Sequence, residues 1–173
     1  MVVIRGVNES EILPMIERFS SMNVELRFIE YMDVGESNKW SKRNVYSSNE
    51  MRSVISHKYN LIKSHDEKNS TSEKWSIVGH RVKLAFISSI SKPFCGDCNR
   101  GRLSADGKFY NCLFSDHGYD FVKYLRNIDT SVSLESYFKD LWGNRSDQYS
   151  KLRFISASPK RKKNKVEMSY IGG

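Results

Sequence analysis

The stretch that most limits the fold is the first thirty residues. Residues 1–5 form a short apolar run of the buried-strand type, and Gly6-Val7-Asn8 is a turn signal. Residues 9–22 then carry Ile12, Met15, Ile16 and Phe19 at helical spacing on one face. Pro14 sits early in that helix, where a missing N–H costs least. Residues 24–30 alternate, with Val24, Leu26 and Phe28 on one face and Glu25, Arg27 and Ile29 on the other. Two strands joined by a helix of crossover length make a βαβ unit, and such strands pair in parallel. The chain reads as α/β.

Beyond this unit the pattern changes. Residues 33–46 are a loop rich in Gly, Ser, Asn and Lys. Ser48-Asn49-Glu50 caps a helix to about Tyr59, and residues 61–63 are a short strand. Residues 64–73, charged and Ser-rich, read as an exposed loop. Residues 75–78 and 81–88 read as strands joined at Gly79-His80. Residues 100–104 and 108–114 flank Ala105-Asp106-Gly107, an Asp-Gly hairpin signal. Residues 120–126 and 133–141 read as short helices, the second with Leu134, Phe138 and Leu141 on one face. Residues 166–171 are strand-like, and no internal repeat is visible.

The chemistry is concentrated in one window. All three cysteines, Cys95, Cys98 and Cys112, lie there at C-x2-C-x13-C spacing, with Arg100, Gly101 and Arg102 between the second and third. An odd number of cysteines packed so closely is not a secreted disulfide framework, and it fits a reducing cytoplasm with thiolate–metal chemistry. Three thiolates can hold a metal centre and leave one position open. A structural zinc site wants a fourth ligand, for which His117 is the nearest histidine. A 4Fe-4S cluster with one open iron needs only the three. Both readings stand on spacing alone. Arg100 and Arg102 are two apart on an expected strand, so they share a face, and paired guanidinium forks suit a phosphate or carboxylate. The chain carries a net charge of +8, which favours an anionic partner, although the run at residues 160–165 is equally well a solvated tail. A composition of 39% hydrophobic and 12% aromatic residues excludes a disordered chain. No apolar run is long enough to span a membrane.

These residues resemble a known family. Residues 94–114 are similar to the C-terminal cluster motif of the GTP 3′,8-cyclases, the radical S-adenosylmethionine lyases of molybdenum-cofactor biosynthesis. Residues 5–9, 27–32 and 142–150, and the closing Gly172-Gly173, resemble other stretches of that family in the same order. The resemblance covers nearly the whole chain and implies the C-terminal half of an incomplete (β/α)6 TIM-like barrel, followed by an α+β extension. Residues 1–90 would be the barrel part and residues 91–173 the cluster-binding extension. It implies that Cys95, Cys98 and Cys112 ligate a 4Fe-4S cluster whose free iron meets GTP, deciding against zinc. Arg100, Gly101 and Arg102 would contact GTP, and Arg27 would point toward it. Met32 would approach S-adenosylmethionine through its backbone. Gly172 and Gly173 would enter the active site and assist catalysis. A homodimer is implied, with neither membrane nor nucleic acid as partner.

One departure matters. The family's first cluster is bound by a CxxxCxxC motif, and these residues contain none. The expectation is a partial form of the enzyme that binds a cluster and GTP without turning GTP over alone. Half a barrel would also expose a sheet edge and apolar surface. Two other readings compete: a zinc-ribbon-like nucleic-acid-binding module, and a remnant that binds nothing. His57 and His65 are expected at exposed positions, His80 at a turn, and Trp40, Trp75 and Trp142 in packing roles. Lys39, Lys42 and Arg43 could touch a triphosphate or simply face solvent.

Overall fold

The computed structural model describes residues 1–35, 37–65, 70–93, 95, 98–126, 132–145 and 166–171. The chain divides into two compact units, Met1–Met32 with Trp40–Asp97, and Asp33–Lys39 with Cys98–Gly173.

The first unit is built on a mixed five-stranded sheet of order β1-β2-β5-β4-β3. Its strands are β1 (Val2–Val3), β2 (Glu25–Glu30), β3 (Leu61–Lys63), β4 (Glu73–Ile77) and β5 (Lys83–Ile87). β1 pairs with β2, and β2 with β5, in parallel, as a βαβ crossover requires. β3, β4 and β5 pair antiparallel, because a tight turn at Gly79 (φ 79°) joins β4 to β5. Gly79 therefore reverses the chain where another crossover would have kept it parallel. The α/β class holds, as a mixed sheet.

The crossover helix is shorter than its apolar pattern. Glu9–Glu11 is a 3-10 turn, and α1 is Ile12–Phe19 with Ile12 and Ile16 fully buried. Helix α2 (Ser48–Ser56) is capped one residue earlier than expected, by Ser47. Ser47 and Glu50 close a reciprocal capping box, which satisfies two end N–H groups and fixes the helix start. The register sets Leu26 beside Leu84 and Phe28 beside Phe86, whose rings stack with centroids 5.8 Å apart. These four, with Ile12, Ile16, Met51 and Ile55, form the core between one sheet face and the two helices. Burying each such side chain is worth about 1.5–3 kcal/mol.

A carboxylate sits at the edge of that core among buried serines. Glu30 is fully buried at the end of β2. Its carboxylate accepts from the Ser48 N–H at 2.8 Å, the Ile90 and Ser91 N–H groups at 2.8 Å each, and the Ser91 hydroxyl at 2.5 Å. A buried carboxylate is tolerated only when its lone pairs are filled this way. Glu30 thereby ties the first turn of α2 to the turn after β5.

The second unit has a three-stranded antiparallel sheet of β6 (Arg102–Leu103), β7 (Lys108–Tyr110) and β8 (Tyr119–Asp120). Gly107, at φ 78°, makes the expected hairpin turn. Helices α3 (Val122–Leu125) and α4 (Leu134–Gly143) follow, the latter capped by Ser133. Residues 119–120 form a strand rather than the start of α3. Residues 168–171 are a 3-10 turn rather than a strand, with Ile171 buried. An aromatic cluster holds this unit together: Phe109 stacks on Phe121 at 4.9 Å and meets Phe138 edge-on at 5.3 Å. Trp142 stacks on Phe138 at 5.8 Å. Among the described residues no helix is long and apolar enough to cross a membrane.

Candidate metal and anion site

Four of the expected site residues lie together in the second unit. Cys98 opens it, Arg100 follows two residues later, Arg102 begins β6, and Cys112 lies just past β7. The hairpin brings the ends of β6 and β7 side by side, with Arg102 opposite Tyr110, and so returns Cys112 toward the arginines. Arg100 precedes β6 rather than lying within it, so a shared strand face is not what groups the two arginines. The grouping comes from the backbone between them. A Cβ built on Gly101 would lie 2.4 Å from Cζ of Phe109, so only glycine lets this segment rest on that buried ring.

The electrostatics follow from this packing. A guanidinium N–H of Arg100 donates to the Cys98 sulfur at 3.5 Å, and Nη1 of Arg145 donates to the Cys98 carbonyl at 2.8 Å. Burial pushes the Cys98 thiol up, but the Arg100 backbone N–H and the Arg145 and Arg100 guanidinium groups outweigh it. The thiol lies below its ordinary value. Burial and the adjacent Arg100 charge pull the half-buried Arg102 guanidinium down, while the sulfurs of Cys112 and Cys98 oppose them. Two thiols and two guanidinium groups thus share one local field. The thiols are soft donors suited to a thiolate-bound metal, and the guanidinium groups offer forks for an anion. All three cysteines are free thiols. Among the described residues no three His, Cys, Asp or Glu side chains are gathered to hold a metal ion, so the fit to a cluster rests on the chemistry of the donors.

Cys95, Arg27 and Met32 belong to the first unit. Arg27 projects from the sheet face opposite the core helices, where Nε donates to Glu25 at 2.7 Å and 61% of the side chain is exposed. Met32 lies beyond β2, which ends at Glu30. Gly172, Gly173 and residues 160–165 lie outside the described residues. His117 is exposed and its Nδ1 pairs with Asp116 at 2.9 Å. His57 and His65 are exposed as expected, and His80, beside the Gly79 turn, is exposed too. Trp40 donates to the Tyr31 carbonyl at 2.8 Å, and Trp75 packs against the first core. Lys42 and Arg43 lie in a 3-10 turn capped by Ser41.

Sequence reasoning missed Arg145 and Glu30. A basic residue just past a helix end is an ordinary terminator, and its reach to Cys98, 47 positions away, leaves no local trace. Glu30 reads as one more polar residue ending a strand.

Residues 24–151 match the family described as Molybdenum Cofactor Synthesis C. The chain is similar to the GTP 3′,8-cyclase of Staphylococcus epidermidis strain ATCC 35984, at 40% identity over 100% of the chain and 52% of that protein. It is 41% identical to the GTP 3′,8-cyclase of Aquifex aeolicus strain VF5, over 99% of the chain and 50% of that protein. For the GTP 3′,8-cyclase of Synechococcus sp. strain CC9902 the identity is 38%, over 99% and 49%. The chain spans about half the length of the curated relatives it matches.

Proposed function

The chain belongs to the Molybdenum Cofactor Synthesis C family, and on that premise we propose that it is the C-terminal, substrate-holding part of a GTP 3′,8-cyclase. The reaction is the conversion of GTP to (8S)-3′,8-cyclo-7,8-dihydroguanosine 5′-triphosphate with S-adenosylmethionine, a lyase step toward the molybdenum cofactor. Cys95, Cys98 and Cys112 hold a 4Fe-4S cluster through three thiolates. When bound, the cluster supplies an open iron as a Lewis acid toward guanine. Arg100 and Arg102 take the anionic part of GTP with their forked donors. Gly101 keeps the backbone between them close-packed. Arg27 points toward the nucleotide, and Met32 meets S-adenosylmethionine through its backbone. Gly172 and Gly173 assist catalysis. Generation of the radical is assigned to no residue in 1–173, which contain no CxxxCxxC run. The chain therefore binds GTP without turning it over alone.

The observation that supports this reading is the packing of the β6–β7 hairpin, which brings Cys98, Arg100, Arg102 and Cys112 into one region, with an Arg100 guanidinium N–H 3.5 Å from the Cys98 sulfur. Thiols suited to a metal and guanidinium groups suited to an anion thus stand on the same hairpin. The test is electron paramagnetic resonance on the anaerobically reconstituted, reduced chain, with and without GTP. A 4Fe-4S signal that changes on adding GTP is expected. A chain that takes up zinc instead of iron would overturn the reading in favour of a zinc module. A signal blind to GTP would remove the substrate from the open iron.

A further inference from the structure

We propose that Arg145 is a positioning residue for the cysteine–arginine segment, clasping the backbone of Cys98 from the end of α4 and so setting where the Cys98 sulfur and the Arg100 guanidinium stand. Its role toward the metal centre rests on the cluster reading above. The clasp itself stands on the packing of the second unit.

Four contacts close a circuit. Nη1 of Arg145 donates to the Cys98 carbonyl at 2.8 Å. The same guanidinium lies over the Trp142 ring, 4.6 Å from its centroid, which fixes its plane. Trp142 stacks on Phe138 and lies 6.3 Å from Phe109. Phe109 is the ring on which Gly101 rests. The segment from Cys98 to Arg102 is therefore held at both ends by one aromatic cluster: at Gly101 directly, and at Cys98 through Arg145. The start of the Arg145 side chain is fixed as well, since its backbone N–H donates to the Trp142 carbonyl at 3.4 Å and that of Asn144 to Asp140 at 3.0 Å.

Both guanidinium groups bear on Cys98, and the bond that Arg145 adds to its backbone is what holds the segment. Arg100 reaches the Cys98 sulfur, and Arg145 reaches the carbonyl of the same residue. A guanidinium can serve both a carbonyl and an aromatic face because its donors lie in its plane and its face is free to stack. A lysine can serve the carbonyl but cannot stack in the same way. Partners of a metal ligand of this kind typically change metal affinity by about 10- to 100-fold when removed.

The test uses the full chain with Arg145→Met and Arg145→Lys. Hydrogen exchange is first read on the metal-free protein. Arg145→Met is expected to speed exchange across residues 98–104 by at least about threefold while residues 25–30 keep their protection. Arg145→Lys falls between Arg145→Met and wild type. The reconstituted proteins are then challenged with a ferrous chelator, and iron release from Arg145→Met is expected to be about tenfold faster than from wild type. Unchanged exchange at residues 98–104 in both variants would overturn the clasp. Equal iron release would overturn its role toward the cluster. A wild-type chain that takes up no iron would overturn the cluster reading, and faster exchange at residues 98–104 would still establish the clasp.

Discussion

Gly101 has no Cβ, and one built there would meet the Phe109 ring at 2.4 Å. That ring cannot swing aside, because Phe121 stacks on it at 4.9 Å and Phe138 presses its edge at 5.3 Å. Gly101→Ala must push the Arg100–Arg102 backbone off its seat, at a cost of about 1–3 kcal/mol for overpacking. Gly143, the last residue of α4, faces open space. Gly143→Ala is therefore expected to be neutral or stabilising by up to about 1 kcal/mol. Urea unfolding midpoints of the two variants separate these expectations, and equal midpoints would refute the seat. In the sequence, Gly101 is visible only as a small residue between two arginines. The reason it must be glycine lies eight positions away, on the other arm of a hairpin.

The hairpin of β6 and β7 shows how an element is pinned by charge. Asp106, beside its turn, accepts from the Ser104 hydroxyl at 2.5 Å and the Tyr170 hydroxyl at 2.6 Å, and pairs with Lys108 at 3.1 Å. These partners hold its carboxyl well below the usual carboxylate range, led by Ser104 and then Tyr170. Because the folded value is depressed, the stability Asp106 contributes is fully present above the unfolded value of about 4. It is lost as pH falls below that toward the folded value. Urea unfolding of wild type and Asp106→Asn should show a constant stability gap from pH 7 to about pH 5, narrowing below about pH 4. A gap that stays constant through pH 3 would refute the assignment. Tyr170→Phe should reduce the gap, since it removes the donor that ties the 3-10 turn Met168–Ile171 to this hairpin. The Asp-Gly turn was legible from residues 105–107. Its tie to Tyr170, 64 positions on, was not.

For the whole molecule the governing quantity is the net charge of +8. An anionic substrate such as a nucleoside triphosphate is drawn toward such a chain over a range set by the screening length. That length falls from about 30 Å at 0.01 M salt to about 3 Å at 1 M. Stopped-flow association of a fluorescent GTP analogue with the reconstituted chain should slow by about tenfold or more across that range, with dissociation changing far less. An association rate indifferent to salt would limit recognition to the short-range forks of Arg100 and Arg102.

Consecutive residues by themselves determined the kind of most main elements, the parallel pairing of β1 with β2, the Asp-Gly hairpin and the grouping of Cys98 and Cys112 with two arginines. Each is written at a period of two or 3.6 residues, or as a spacing within one short window. Element ends were less legible, because the 3-10 turn before α1 and the cap of α2 depend on which N–H groups find partners. Only the tertiary structure decided that Glu30 collects donors from two segments and that Arg145 reaches Cys98. These contacts join residues 18 to 61 positions apart. A buried carboxylate or carbonyl takes whichever donors the sheet order and helix packing bring within 3 Å, and no local pattern in the chain specifies them.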